Sequence, residues 1–303
     1  MRVTSMMQNT QLLKNMRNVN SGIADYQNKL ATGQKIHRPG DDPVGIGYLL
    51  RYNSELDRSD EFLENSNTGI GWLNTMDDLL QQATKVLQRV RVLTQQASTG
   101  TTPADVSQQI AAEMEQLRQQ LVAIGNSTYD GRYMFNGQMT DVAPYTEADA
   151  AFQSTDPGVY QLRVSSSVSV SVSITGEDIF GKAGQAGPPP VPGDNIFQLL
   201  GDIVGFLNAD DKTGMLNSLG RIDAAADLIS RNSAEVGART NRFELVKDRI
   251  LDEQASLKQR RAVTSDVDMA AAITELQLKE NVLQASLATG ARIMQVSLID
   301  FLR

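Results

Sequence analysis

Residues 12–30 read Leu12-Leu13-Lys14-Asn15-Met16-Arg17-Asn18-Val19-Asn20-Ser21-Gly22-Ile23-Ala24-Asp25-Tyr26-Gln27-Asn28-Lys29-Leu30. Within this stretch Leu12, Met16, Val19, Ile23, Tyr26 and Leu30 recur at alternating spacings of four and three. A strict seven-residue apolar repeat places its side chains on one narrow stripe of a helix, and such a stripe needs a partner helix. The same grid returns at the other end of the chain. There Met269, Ile273, Leu276, Leu283, Leu287, Met294 and Phe301 fall on it, with Leu298 one residue off it, interrupted by Glu280 and Gly290. Chain ends are usually loose, so two matched stripes predict that these ends pair with each other or with neighbouring chains.

Outward from the first stripe, Gly33 can take positive φ and stop the helix. Pro39-Gly40 and Asp42-Pro43 favour turns, with Asp42 placed to cap a new helix whose first residue is Pro43. A second long pattern runs through Leu49, Leu56, Leu63, Ile70, Leu73, Met76, Leu80, Ala83, Leu87, Val90 and Ala97. It breaks at Gly100 to Pro103. A shorter helix then carries Val106, Ile110, Met114, Leu117, Leu121 and Ile124, ending at Gly125-Asn126-Ser127.

Residues 131–195 are rich in Gly, Pro, Ser and Asp. In Tyr160, Leu162, Val164, Val168, Val170, Val172 and Ile174 the apolar period is two, which predicts one or two half-buried strands. Gly187-Pro188-Pro189-Pro190-Val191-Pro192-Gly193 reads as a stiff extended connector. Helix signals resume at Asn195, and Met215, Ile222, Ile229, Val236, Phe243, Ile250 and Leu257 fall at intervals of seven, a stripe about 60 Å long. Thr264-Ser265-Asp266 interrupts it and offers side-chain oxygens for a further N-cap.

The expected fold is mainly α: a long antiparallel helical rod or coiled coil formed by both chain halves, with a small β-rich insert at the distal tip. The expected division is 1–47 plus 262–303 as terminal coiled-coil arms, 48–140 plus 195–261 as the helical rod, and 141–194 as the insert.

Composition narrows the function. The 303 residues are 41% hydrophobic and only 5% aromatic, which suits long helices better than an aromatic-rich enzyme core. A net charge of −8 argues against general nucleic-acid binding. No apolar run approaches the ~20 residues that span a bilayer, and Met1-Arg2-Val3-Thr4-Ser5 has no apolar core of a cleavable signal peptide. The absence of cysteine excludes disulfides and thiolate chemistry, and the single His37 excludes a multi-histidine metal site. Residues 1–47 carry a net charge of +3 and residues 262–303 a net charge of −2, which favours pairing of the two arms, though surface pairs are individually weak.

Rival readings of single features carry less. The Gly33–Pro43 turn lacks the Walker pattern of a phosphate cradle. His37 has no nucleophile constellation around it. Asp41 and Asp42 are better explained by capping than by paired acid–base work. Asn126-Ser127-Thr128 matches a glycosylation sequon, a match expected by chance at this length. The insert contains no His or Cys and no nucleophile–base pair, so no enzyme activity and no cofactor are expected.

Two motifs go beyond periodicity. Leu30-Ala31-Thr32-Gly33-Gln34-Lys35-Ile36-His37-Arg38-Pro39-Gly40-Asp41-Asp42-Pro43-Val44 resembles the N-terminal signature of the bacterial flagellin superfamily. Ala285-Ser286-Leu287-Ala288-Thr289-Gly290-Ala291-Arg292 with Ser297-Leu298-Ile299-Asp300-Phe301-Leu302-Arg303 resembles its C-terminal counterpart, and Asp266-Val267-Asp268-Met269-Ala270 its helix-start motif. Within the superfamily, Gly131-Arg132-Tyr133-Met134-Phe135-Asn136-Gly137-Gln138 is similar to a Gly-x-Tyr-x-Phe-x-Gly motif of the hook-associated protein 3 branch. The Met1-Arg2-Val3-Thr4 start, Arg38-Pro39 and Gly176-Glu177-Asp178-Ile179-Phe180-Gly181 point the same way.

The resemblance implies a structural protein of the extracellular flagellum, exported unfolded through the flagellar channel without a cleaved signal. Its implied partners are further copies of itself in a ring, hook-associated protein 1, flagellin and a flagellar export chaperone, with no nucleic acid and no membrane insertion. The expected assembly residues are Leu12, Met16, Val19, Ile23, Tyr26, Leu30, Ile273, Leu276, Leu283, Leu287, Met294, Leu298 and Phe301. The arms are expected to order only when assembly supplies their missing neighbours. The alternatives are a bulk flagellin subunit, a non-flagellar secreted coiled-coil protein, and an enzyme with its site in the insert.

Overall fold

The computed structural model describes residues 5–99, 104–184 and 193–301; the side chains of residues 5, 6, 8, 104 and 293–301 are outside that description. Met1–Thr4, the Gly100–Pro103 break and the proline-rich connector at 187–192 also lie outside the described residues. The element order is α1 (Ser5–Thr32), α2 (Pro43–Ser98), α3 (Ala104–Gly125), β1 (Thr128–Tyr129), β2 (Arg132–Tyr133), β3 (Gln161–Arg163), β4 (Ser169–Ser171), α4 (Gly176–Phe180), α5 (Ile196–Ala209), α6 (Lys212–Ser265) and α7 (Met269–Phe301). The fold is mainly α with a small β-rich insert. The chain forms two compact units, one of residues 59–252 and one of residues 1–58 with 253–303. The divisions fall inside α2 and α6.

In the 59–252 unit, α2 and α6 run antiparallel. The register is fixed by three approaches: Arg91 pairs with Asp223 at 2.7 Å, Ser233 donates to Asp77 at 2.7 Å, and the Phe243 ring lies where Gly69 leaves room. A methyl group on Gly69 would stand 2.6 Å from that ring, so the glycine is what lets the two helices close there. Leu73, Met76, Leu80, Leu87 and Val90 of α2 are fully buried with Ile222, Ile229, Val236 and Phe243 of α6. Helices α3 and α5 pack on each other and contribute Met114, Leu121, Leu200 and Ile203 to the same core.

Between Asn195 and the Met215–Leu257 repeat the helical segment is divided in two, α5 and α6. Asn195 caps α5 by accepting from Gln198 N at 2.8 Å. Helix α5 ends at Asp210, which is left-handed with φ 55°, and Asp211 caps α6 by accepting from the amides of Thr213 and Gly214. The adjacent Asp residues are the local signal for this break, since a short acidic side chain tolerates the left-handed region and satisfies a new helix start.

Between α3 and α4 the chain makes two hairpins, the first at the end of the rod segment and the second in the insert, both beside a cluster of aromatic rings. The predicted strand region forms the antiparallel pair β3–β4, with Leu162 opposite Val170; Val164, Val172 and Ile174 are buried beside them. A second hairpin, β1–β2, was not anticipated from periodicity. Asp130 and Gly131 both have positive φ, and Asp-Gly is the preferred sequence for the tight turn that such dihedrals make. Phe135, Tyr145, Phe180 and Phe197 form one cluster with ring centroids 4.8–5.9 Å apart. Burial pushes the Tyr145 phenol well above its ordinary range, with a smaller contribution from Glu177.

Candidate assembly surface

The unit of residues 1–58 and 253–303 is organised by two helix breaks that are stitched to each other. Gly33, at φ +72°, ends α1 with its amide on Lys29 O at 2.9 Å. The chain then extends, and Lys35 N donates to Ser265 O at 2.7 Å while Val267 N donates to Gly33 O at 2.9 Å. Gln34 and Asp266 form an antiparallel bridge between them, and Lys35 Nζ reaches Val263 O at 2.9 Å. This pairing corrects the expected cap of α7. Asp266 and Val267 are held against Gly33–Lys35, so the next helix can begin only beyond them. The cap is Asp268, whose carboxylate accepts from the amides of Ala270 and Ala271 at 3.0 and 3.1 Å; α6 instead continues through Thr264 and Ser265.

The turn that follows Gly33 is closed on itself. Asp41 Oδ2 accepts from the amides of His37 and Arg38 at 3.0 and 2.9 Å, the donors an anion in this turn would need. Those two bonds, His37 first, hold the Asp41 carboxyl below its ordinary value, with the nearby Lys29 and Arg38 charges adding to the effect. His37 Nε2 lies 2.6 Å from Thr32 Oγ1, but the hydroxyl proton goes to Asn28 O at 2.9 Å, so the imidazole is not poised to activate it. Asp42 Oδ1 accepts from Val44 and Gly45 at the start of α2, the cap expected from Asp42-Pro43.

Helices α1 and α7 pack on each other. The α1 stripe lies as its period requires, with Leu12, Met16, Val19, Ile23, Tyr26 and Leu30 all half-buried. On α7 the buried line is a different one from that drawn by the large apolar residues. It runs Ala272, Leu276, Lys279, Leu283, Ser286 and Gly290. Among the described side chains of the two helices, Ala272 and Gly290 are the buried positions. A methyl group added at Gly290 would come within 2.7 Å of Leu12, so the apparent interruption of the stripe is a point of close approach. The Lys279 stem lies 3.2 Å from where a Gly22 side chain would begin, and its ammonium sits 5.5 Å from the Tyr26 ring centre, a cation over an aromatic face. Ile273 and Leu287 are rotated out of this seam and stay 45% and 51% exposed. The side chains of Met294, Leu298 and Phe301 lie outside the described residues.

The opposite charges of the two arms do not make this contact. Among the described residues no ion pair joins α1 to α7; Lys29 pairs with Asp25 within α1. Lys14, Arg17, Glu275 and Glu280 are exposed. Among the described residues too, no group of His, Asp or Glu is placed to hold a metal ion, and no helix is long and apolar enough to cross a membrane.

Residues 3–140 match the model of the bacterial flagellin N-terminal helical region, and residues 219–302 match that of the C-terminal helical region. The chain belongs to the bacterial flagellin family. Members are structural components of the bacterial flagellum, and this chain is one of them. The two family matches cover α1–α3 with the β1–β2 hairpin and most of α6 with α7, leaving the β3–β4 hairpin, α4 and α5 between them. The flagellar hook-associated protein 3 of Escherichia coli K12 is 25% identical over 312 residues, covering 95% of this chain and 96% of its own. A flagellin of Bacillus subtilis is 28% identical over 293 residues, covering 93% of each. The solved structure of a flagellar hook-associated protein from Vibrio parahaemolyticus superposes with a TM-score of 0.66 at 16% identity, over 74% of this chain and 99% of that one; this supports the fold.

Proposed function

We propose that this family member is the subunit of the junction between hook and filament. Copies form a ring whose hook side meets hook-associated protein 1 and whose other side templates flagellin. The observation that carries an assembly role is the state of the α1–α7 pair. Its α1 stripe is half-buried, and Ile273 and Leu287 are left in solvent by the α1–α7 contact among the described residues. A two-helix pair cannot enclose such side chains, and packing against neighbouring copies supplies the missing cover. The assembly residues are thus Leu12, Met16, Val19, Ile23, Tyr26, Leu30, Leu276 and Leu283, shared between the arm pair and its neighbours, with Ile273 and Leu287 turned wholly to neighbours and Met294, Leu298 and Phe301 continuing the stripe. The division at residues 47 and 262 separates arms from rod in this reading. Export runs through the flagellar channel as an unfolded chain, with a chaperone and without a cleaved signal; the lack of cysteine suits that route.

The reading as junction rather than bulk filament is supported by the Gly131–Gln138 motif and by full-length likeness to hook-associated protein 3. The Bacillus subtilis flagellin of comparable identity keeps the filament-subunit reading as the second one. Deletion of the gene followed by electron microscopy separates them. Hooks that lack filaments, with flagellin shed into the medium, are expected, and complementation with the intact chain restores the filaments. Filaments that persist on the deletion strain's hooks refute the junction role, and long filaments grown from the purified chain alone favour bulk flagellin.

A further inference from the structure

Glu280 stands on an apolar edge of α7 that the chain itself leaves open. Ile273, Glu280 and Leu287 are spaced by seven, which keeps them within about 40° of one another on the helix. Met269 continues the edge and is 48% exposed, beside Ile273 at 45% and Leu287 at 51%. The line that α7 turns toward α1 is made largely of small or polar residues, Ala272, Lys279, Ser286 and Gly290. The helix therefore carries two overlapping stripes, sharing Leu276 and Leu283, and the larger side chains lie on the outer one.

The back of α1 offers the positive charge that this edge lacks. Lys14 and Arg17 are exposed on the side away from the Leu12–Leu30 stripe, beside Leu13, which is 55% exposed. They cannot reach Glu280 of their own chain. The approaches of Leu12 to Gly290 and of Gly22 to Lys279 place Glu280 level with about residue 22 of α1. That is five to eight residues past Arg17 and Lys14, roughly 8–12 Å along the axis, and the cations face the other way. A carboxylate in an apolar contact is costly unless a cation meets it, so an occupant of this edge must bring both apolar surface and positive charge.

We infer that the Met269–Ile273–Glu280–Leu287 edge of α7 docks on the back of α1 of a second copy, with Glu280 against that copy's Lys14 and Arg17. The inference rests on the subunit role proposed above and names the face that role uses. The contact joins two different surfaces of the same chain, the heterologous kind that closes into a ring or continues as a helix. It also sets the stagger between copies, because apolar stripes alone tolerate a slip of one heptad and a single buried charge pair does not.

The test uses full-length chains in a strain lacking the gene, with filament-bearing hooks counted by electron microscopy. Glu280→Lys alone, and Lys14→Glu with Arg17→Glu alone, are each expected to lower the count by at least about tenfold, as like charges face each other across the contact. The chain carrying all three reversals is expected to return to within about twofold of wild type, since favourable pairs form again between copies. Wild-type counts in the single reversals, or no recovery in the combined chain, would overturn the docking. In the second case Glu280 meets a different protein. A folding defect is separated by a second measurement. Because the chain has no cysteine, Ser21→Cys with Ile273→Cys places one thiol on each face. Within one chain the two lie about eight residues apart in level, beyond the ~7 Å Cα limit of a disulfide. Mild oxidation of assembled flagella is expected to give a ladder of linked copies, whereas monomer alone refutes the contact. Wild-type complementation reports separately on the junction role, so the two readings fail independently.

Discussion

In the 59–252 unit the repeat Met215, Ile222, Ile229, Val236, Phe243 and Ile250 is buried along its whole length. In the unit of residues 1–58 and 253–303 an equally regular repeat on α1 is half-buried at every position. The periodicity of the two is the same, and the surroundings differ. Helices α2 and α6 are backed by α3, α5 and the Phe135–Tyr145–Phe180–Phe197 cluster, which close the sides of the seam. Helices α1 and α7 have each other, and two helices of radius about 5 Å leave both flanks of a stripe in water. A heptad repeat therefore fixes that a helix needs neighbours without fixing where they are. In one region the chain supplies them, and in the other an assembly does.

The contrast can be broken from either side. The largest effect is expected in the buried seam. Phe243→Ala removes a ring packed on Gly69 and should lower the stability of the 59–252 unit by about 3–5 kcal/mol in chemical denaturation; a change under 1 kcal/mol would mean that the seam is not the main support of that unit. Next comes Gly290→Val, which drives a side chain into Leu12 and should cost about 1–3 kcal/mol of overpacking in the α1–α7 pair. Its effect belongs to the arms, so helicity falls locally while the denaturation midpoint of the 59–252 unit stays put. A shift of that midpoint would contradict the separation. Asp268→Ala removes the cap of α7 and should cost about 1 kcal/mol, seen as fraying of its first turn in amide exchange; unchanged exchange at Ala270 and Ala271 would refute the cap.

The smallest effect concerns Asp41. Its carboxyl is held below the ordinary value by the His37 and Arg38 amides. The stabilisation is therefore complete above the ordinary carboxylate value of about 3.9 and is lost as pH falls through the lower, folded value. Protection of the His37 and Arg38 amides should fall only below that range in the wild type and be weak at all pH values in Asp41→Asn. Loss of protection already near pH 6 would show that Asp41 is not what orders the turn.

How much of this was legible follows from which forces are local. The Asp42-Pro43 start, the Gly33 stop and the α1 stripe were readable because capping, positive φ and period are properties of a few adjacent residues. The face of α7 was not. Its large apolar residues mark a stripe centred on Ile273, Glu280 and Leu287, while the contact with α1 is set by where backbones can approach, at Ala272 and Gly290. Close approach at these two positions, not hydrophobicity alone, set the inner line. The cap at Asp268 was likewise hidden, because Ser265 and Val267 are committed to Gly33 and Lys35, residues more than two hundred positions away. Pairing of the arms was expected partly from their opposite net charges, and no described ion pair joins them; steric fit and the Lys279–Tyr26 contact take that place. The Asp130-Gly131 hairpin and the Asp210-Asp211 break had local signals that the longer apolar patterns obscured.

The central claim is that the 59–252 unit is complete in the chain while the α1–α7 pair is completed by neighbours. Amide hydrogen exchange on the soluble monomer and on assembled flagella tests it directly. Residues 73–97 and 215–250 should be strongly protected in both. Residues 12–30 and 273–292 should exchange quickly in the monomer and become protected on assembly. Strong protection of both arms in the free monomer, equal to that of the 59–252 seam, would contradict the account.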